Sequence, residues 1–360
     1  MEFRPRALDD MVGTSLNGRS VLVTGHTGFK GAWLSLLLSM QKARVSGLSF
    51  DVETPRPLHA LISDPLKDDL QLDIRDAPAL AGAIERIAPE VVFHMAAQPL
   101  VRDSYRVPLE TWTTNVIGTA NLLEACRKID CVKAVVVVTT DKCYENREWL
   151  HPYREIDRLG GHDPYSASKA CTEILTASYR ASYLKQGGVG LATARAGNVI
   201  GGGDFATDRL IPDAVRAFTA DKPLVLRNPL ATRPWQHVLE PLSGYLLLAG
   251  KLLSEPAGAF DTAWNFGPDA DGNASVGSVA ERFAALFGKG HVESLSAHSE
   301  PHEAGFLQLD SSRAKALLGW RTRWSLDEAL QHAADWYRAW SRGEDIAKLM
   351  QRQIGIYFAD

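Results

Sequence analysis

Through residue 200 the chain alternates short apolar runs with longer stretches of helical spacing. Residues 19–24 (RSVLVT) are an apolar run that breaks at once into GHTGFKG, and 32–43 (AWLSLLLSMQKA) has the length and spacing of a helix. Further strand-like runs lie at 43–51 (ARVSGLSFD), 69–76 (DLQLDIRD), 90–98 (EVVFHMAAQ), 131–140 (CVKAVVVVTT) and 189–201 (VGLATARAGNVIG). Between them, 77–89, 109–129 and 164–186 read as helices. Strands alternating with helices predict an α/β fold, a Rossmann-type doubly wound parallel sheet with right-handed crossovers. After residue 201 the character changes: prolines and short elements fill 201–237, a helix follows at 239–254, a short strand at 262–268, and 275–345 is mostly helical. The predicted organisation is a leader at 1–18, a Rossmann domain at 19–200 to which 238–267 returns, and a smaller, mostly helical C-terminal domain from 201–237 and 268–350.

Composition changes this picture little. A chain of 360 residues with 45% hydrophobic and 23% charged residues can bury a sizeable core. A formal net charge of −4, with no basic run, argues against nucleic acid. The N-terminus has no apolar signal core, and runs such as LSLLLSM are too short to span a bilayer, so no membrane association is expected. Cys126, Cys131, Cys143 and Cys171 form no CxxC pair, which argues against a metal site and for a reducing, cytoplasmic setting.

The candidate chemistry starts at the first turn. Gly25, Gly28 and Gly31 stand at GxxGxxG spacing between a strand and a helix, which suits a tight turn, close approach of a pyrophosphate and close helix packing. The helix N-terminus then offers free N–H groups to phosphate. A plain glycine-rich turn is the alternative. Asp51, near the end of the second strand, is a candidate for a free ribose 2′-hydroxyl and hence NAD; Arg56 is close by. Asp73 reads either as a contact to adenine or as a helix N-cap. Lys30 reads either as a phosphate contact or as solvated, and His26 is an unusual polar residue in such a turn.

Tyr165 and Lys169 stand four apart on a predicted helix, on one face. A nearby ammonium favours phenolate, so Tyr165 is a candidate base for a hydroxyl proton. On its own the spacing equally describes an amphipathic helix. At the end of the fifth predicted strand, Thr139 and Thr140 lead into the adjacent pair Asp141 and Lys142.

The combination resembles the extended short-chain dehydrogenase/reductase family over nearly the whole chain. HMAAQ at 94–98, TNVIGT at 114–119, DPYSASKA at 163–170, RAGNVIGGGD at 195–204 and LDSSRAKALLGWRTRWSLDEAL at 309–330 all match its pattern. The resemblance implies NAD held by Gly25, Thr27, Gly28, Phe29, Lys30, Gly31, Asp73, Ile74, Ala96, Ala97, Gln98 and Asn115 together with Tyr165 and Lys169. It implies catalysis by Thr140, Tyr165 and Lys169. GHTGFKGAWLSLLL, TTDKCYEN and NPLATRPWQHVLEPLSGYL further resemble the family's 4,6-dehydratases that use CDP-D-glucose.

In such enzymes C4 is oxidised, water is lost across C5 and C6, and hydride returns to C6. The resemblance gives Asp141 the acid role and Lys142 the base role. Deoxythymidine-linked relatives carry Asp-Glu there, and an adjacent carboxylate favours the ammonium, so a purely electrostatic role for Lys142 stays open. Arg233 is the implied pyrophosphate ligand, with Asn198, Arg209 and Glu303 nearby; Trp235 reads as packing or a base stack. A homodimer through the helices at 109–129 and 164–186 is also implied, with products feeding surface-polysaccharide deoxyhexoses. The rivals are a dehydratase of UDP-N-acetylglucosamine, a nucleotide-sugar 4-epimerase, and a catalytically silent NAD-binding regulator.

Overall fold

The computed structural model describes residues 16–50, 57–62, 66–255, 257–294 and 305–359. Asp51, Arg56, Glu303 and most of the expected leader lie outside the described residues. The first strand, β1 (Ser20–Thr24), is buried along its whole length and runs into helix α1 (Phe29–Met40). Strands β2 (Arg44–Ser49), β3 (Asp68–Gln71), β4 (Val91–His94), β5 (Ala134–Val138) and β6 (Gly190–Ala196) follow. After β7 (Asn198–Ile200), β8 (Leu224–Leu226) and β9 (Thr232–His237), β10 (Ala263–Phe266) rejoins the main sheet beside β6.

The main sheet has seven strands in the order β10-β6-β5-β4-β1-β2-β3, and every pairing is parallel. Side chains alternate between its faces as the strand period requires. Val21, Val23 and Val136 enter one apolar cluster, while Leu22, Val92, Val135 and Val137 enter another. Burial on both faces explains the continuous run AVVVV in β5. The strand order reverses between β1 and β4, and that reversal opens a crevice at the carboxyl ends of the strands.

Helix α2 (Ala77–Ile87) is capped by Asp76, which accepts from Ala79 N–H, so Asp73 is not its N-cap. The expected helix at 109–129 spans 108–126 and carries a π turn at Thr113–Ile117; we label it α3. Helix α4 (Pro164–Tyr179) is capped by Asp163 and ends in a second π turn at Arg180–Leu184. The single strand expected over 189–201 is divided. At Gly197 the chain leaves the main sheet, and β7 pairs with β9 in a small three-stranded sheet with β11 (Asn273–Ser275). A Cβ at Gly197 would lie 2.6 Å from Pro234, so glycine permits this crossing.

Helices α5 (Leu210–Thr219), α6 (Leu239–Ser254), α7 (Val276–Phe287), α8 (Leu326–Ser341) and α9 (Ile346–Ala359) complete the chain. The last of them is locked to α6 by one buried carboxyl. Glu240 accepts from Trp324 N–H at 2.9 Å and from the Tyr357 hydroxyl at 2.7 Å. Burial raises Glu240 to about 7. Its folded pKa therefore lies above the unfolded value of about 4.3, so its contribution is complete below that value and is lost as pH rises through about 7. Glu240→Gln, which stays neutral, is expected to flatten this part of the thermal-stability profile; melting curves at stepped pH check it.

Candidate active site

Three chain segments meet at the crevice: the glycine turn after β1, the end of β5, and the first turns of α4. At Gly25 the backbone has φ +75°, and a Cβ would lie 2.8 Å from Ala96 N. At Gly31 a Cβ would lie 2.1 Å from the Gly25 carbonyl oxygen. The turn therefore packs against both the β4 end and its own helix as closely as backbone allows. Gly28 is the N-cap of α1 and offers no capping side chain, which leaves the first N–H groups of the helix facing the crevice mouth. This donor set suits a dinucleotide pyrophosphate.

His26 turns away from that surface. Its ring is buried, with Nε2 2.8 Å from Asp69 Oδ1 and Nδ1 3.0 Å from Ser49 Oγ. Ser49 in turn accepts from Thr27 N–H at 3.3 Å. His59 Nε2 lies 3.0 Å from the other Asp69 oxygen. A His–Asp–His cluster thus braces the glycine turn from behind, joining residues too far apart in sequence to be read as a group.

The Asp73 side of the crevice is less free than expected. Arg75 grips the Asp73 carboxylate with Nε at 2.8 Å and Nη2 at 2.6 Å. Ile74 is buried beneath, against Gly118. Ala96 N–H donates to Thr24 Oγ1 at 3.2 Å, and Ala97 follows in the same β4-end loop. Asn115, inside the π turn, accepts from Gln98 N–H at 2.8 Å and donates to Ser168 Oγ at 2.9 Å. It ties that loop to α4. Phe29 lies beside Gly201, where a Cβ would meet its ring at 3.2 Å.

Next to the crevice lies a cavity of about 1180 Å³, large enough for a nucleotide sugar. Thr140, Lys142 and Tyr165 line it, as do Lys30, Asn198, Arg209 and Arg233. Lys30 therefore faces neither bulk solvent nor the back of the turn. Burial, with Arg209 acting in the same direction, pulls it down to about 7. Arg209 is held by Asp204 at 2.9 Å, and Arg233 Nη1 donates to the Thr232 carbonyl. Trp235 also lines the cavity, but its Nε1 is anchored to the Ala274 carbonyl at 3.0 Å, as packing requires.

Tyr165 and Lys169 share the buried face of α4. Lys169 Nζ donates to the Val138 carbonyl at 3.2 Å, and burial pulls it down to about 8. Burial raises Tyr165 to about 12, the reverse of the shift that a neighbouring ammonium alone produces. Desolvation outweighs charge here because both groups sit inside the wall.

Asp141 and Lys142 begin a short 3-10 turn, and they part company. Lys142 reaches the cavity, with Nζ 3.5 Å from Asn198 Oδ1. Asp141 is fully buried behind it, 3.3 Å from Lys142 Nζ. The strand end itself rests on a buried ion pair that residue spacing does not reveal. Arg195 donates to Glu173 at 2.8 Å, and the Thr139 and Thr193 hydroxyls donate to the same carboxylate. Burial works to raise Glu173, yet Arg195 and the two threonines hold it below the usual carboxylate range.

The family model described as GDP-mannose 4,6 dehydratase matches residues 22–333. A CDP-glucose 4,6-dehydratase of Salmonella typhimurium is 47% identical over 348 residues, covering 95% of this chain and 97% of that protein. A UDP-glucose 4-epimerase from Stenotrophomonas maltophila, solved with NAD, shares the fold at TM-score 0.80 and 23% identity, over 90% of this chain and 99% of that one. A dTDP-glucose 4,6-dehydratase double mutant from Streptomyces venezuelae, also solved with NAD, has TM-score 0.77 and 25% identity, over 90% and 98% of the two chains.

Proposed function

The chain belongs to the GDP-mannose 4,6 dehydratase family, and from that premise we propose that it converts CDP-D-glucose to CDP-4-dehydro-6-deoxy-D-glucose as an NAD-dependent hydro-lyase. The observation that carries the reaction class is the meeting of Thr140, Tyr165 and Lys142 on one cavity wall. An epimerase needs the first two only. A group able to act at C5 and C6 is what a dehydratase adds. The choice of CDP-glucose rests on the near full-length similarity to the Salmonella enzyme.

When bound, NAD supplies an acceptor for the hydride of C4 and its donor to C6. The turn Gly25–Gly31 would hold its pyrophosphate, with Thr27, Phe29 and Lys30 in that turn and Ala96, Ala97, Gln98 and Asn115 along the crevice. Asp73 and Ile74 would border the adenine, and Lys169 the nicotinamide ribose. Tyr165 takes the proton of the C4 hydroxyl, and Thr140 orients that hydroxyl. Lys142 takes the C5 proton made acidic by the new ketone. Asp141, buried 3.3 Å behind Lys142 Nζ, is the acid whose proton reaches the departing C6 oxygen through Lys142, so that the oxygen leaves as water. Arg233 grips the substrate pyrophosphate through its planar guanidinium, with Asn198 and Arg209 beside it and Glu303 near the nucleotide.

The same reading assigns cofactor binding to 19–200 with 238–267, and nucleotide-sugar binding to 201–237 with 268–350. It places the protein in the cytoplasm, ahead of enzymes that consume a 4-keto-6-deoxy sugar for surface polysaccharide. The four cysteines are free, and among the described residues no helix is long and apolar enough to cross a membrane.

A homodimer through α3 and α4 accounts for Leu109, Ile117, Ile174 and Tyr183, which these helices expose at 79%, 53%, 59% and 50%. Ile117→Glu combined with Ile174→Glu is expected to halve the mass measured by light scattering. The proposed reaction is tested by offering CDP-glucose, UDP-N-acetylglucosamine, UDP-glucose and dTDP-glucose in parallel and weighing the products. Water loss from CDP-glucose supports it; epimerisation without water loss overturns it.

A further inference from the structure

A second group of side chains able to take a ligand lies outside the cavity, behind the glycine turn. Its members come from three elements: His26 from the turn itself, Asp69 from β3 at the edge of the main sheet, and His59 from the helical turn Pro57–Leu61. None of the three lines the cavity. Each oxygen of the Asp69 carboxylate faces one ring, His26 Nε2 at 2.8 Å and His59 Nε2 at 3.0 Å. One ligand atom from each residue lies within 4.8 Å of the other two. In a four-coordinate zinc site, neighbouring ligand atoms stand roughly 3.3 Å apart. The two histidine–carboxylate pairs are already close to that spacing, so a small outward shift admits an ion between them.

The chemistry of the three groups suits one class of cation. Two imidazoles and a carboxylate are ligands for a borderline divalent ion, whereas calcium and magnesium take oxygen. Burial holds His26 below its ordinary value, which keeps the ring neutral and able to ligate at neutral pH. Burial works to raise Asp69, yet the two histidines hold it below the usual carboxylate range. Among the described residues no lysine or arginine pairs with this carboxylate. His26 also has the outer contact that orients a metal-bound histidine, with Nδ1 3.0 Å from Ser49 Oγ. When the ring hydrogen is on Nδ1 it donates to Ser49, and the Nε2 lone pair then points at Asp69. A lone pair and a carboxylate attract only through a cation. The site is open on one side: the His26 side chain is fully buried, but those of His59 and Asp69 are 26% and 54% exposed. That side gives an entry path and room for water.

We propose that His26, Asp69 and His59 bind a divalent transition-metal ion of the zinc class, with water as the fourth ligand, and that the ion pins the glycine turn to the edge of the sheet. The site stands apart from the proposed reaction and does not depend on it.

The test is titration of the full chain with Co²⁺, whose visible absorption reports its coordination, followed by competition with Zn²⁺. The wild type is expected to take up one Co²⁺ per chain with the strong bands of a four-coordinate ion, and Zn²⁺ to displace it. His59→Gln and Asp69→Asn keep hydrogen-bonding side chains at partly exposed positions. Each should weaken binding by more than the roughly 10–100-fold that loss of an outer contact costs. Ser49→Ala, which removes only the outer contact, should weaken it by about tenfold. Zn²⁺ should also raise the melting temperature of the wild type and leave those of His59→Gln and Asp69→Asn unmoved, because only a site built in the folded state is linked to stability. Melting without metal shows whether each variant folds; should one fail, the other decides. No Co²⁺ uptake by the wild type overturns the site, and so does uptake that His59→Gln and Asp69→Asn both retain.

Discussion

Tyr165→Phe is expected to slow the first hydride transfer by about a thousandfold while leaving NAD affinity within a few-fold of wild type, the usual scale for removing a general acid–base group. The ring stays buried in the α4 face, so the wall keeps its shape. Only the hydroxyl of this cavity-lining residue is lost. Single-turnover reduction of the cofactor, beside a direct NAD titration, separates the two effects. Near-normal reduction would remove Tyr165 from the chemistry.

Lys142→Met is expected to do the opposite: C4 oxidation proceeds and the reaction then stalls. The variant keeps the stem along the cavity wall and removes the charge and the proton carrier. Product formation should fall by about three orders of magnitude or more, because both the C5 and the C6 proton transfers lose their group. The reduced cofactor and a hexose still bearing its C6 oxygen should accumulate together. Spectroscopy of the bound nicotinamide and mass analysis of the quenched sugar check this. Unchanged yield of the 6-deoxy product would exclude Lys142, and an accumulated species already lacking water would move its role to the final protonation.

Much of the fold was legible because each layer left a periodic trace. The apolar runs at β1, β4 and β5 and the helix at 239–254 stand almost where their spacing places them. The glycine turn and the Tyr165–Lys169 pair are local motifs, and local motifs survive without a structure. What escaped depends on direction or on distance. Asp141 and Lys142 are neighbours in sequence, yet a 3-10 turn sends one into the wall and the other into the cavity. The Arg75 clamp on Asp73 needed side-chain geometry, because two residues of separation permit many arrangements. Glu173 with Arg195, and Glu240 with Tyr357, are long-range pairs that no spacing rule joins. The break at Gly197 was hidden because a strand that changes sheets keeps its apolar pattern.

The histidine behind the glycine turn has one more implication, for how such chains can diverge. A Cβ added at Gly47 would fall 2.4 Å from the His26 ring, well inside any tolerable contact. The imidazole thus occupies the room that a side chain on β2 would fill. Position 47 is free to diversify only when position 26 becomes small, and an enlarged residue 47 would in turn expel a histidine. The two sites, separated by a whole helix, form a single heritable unit in which the first change opens the path for the second.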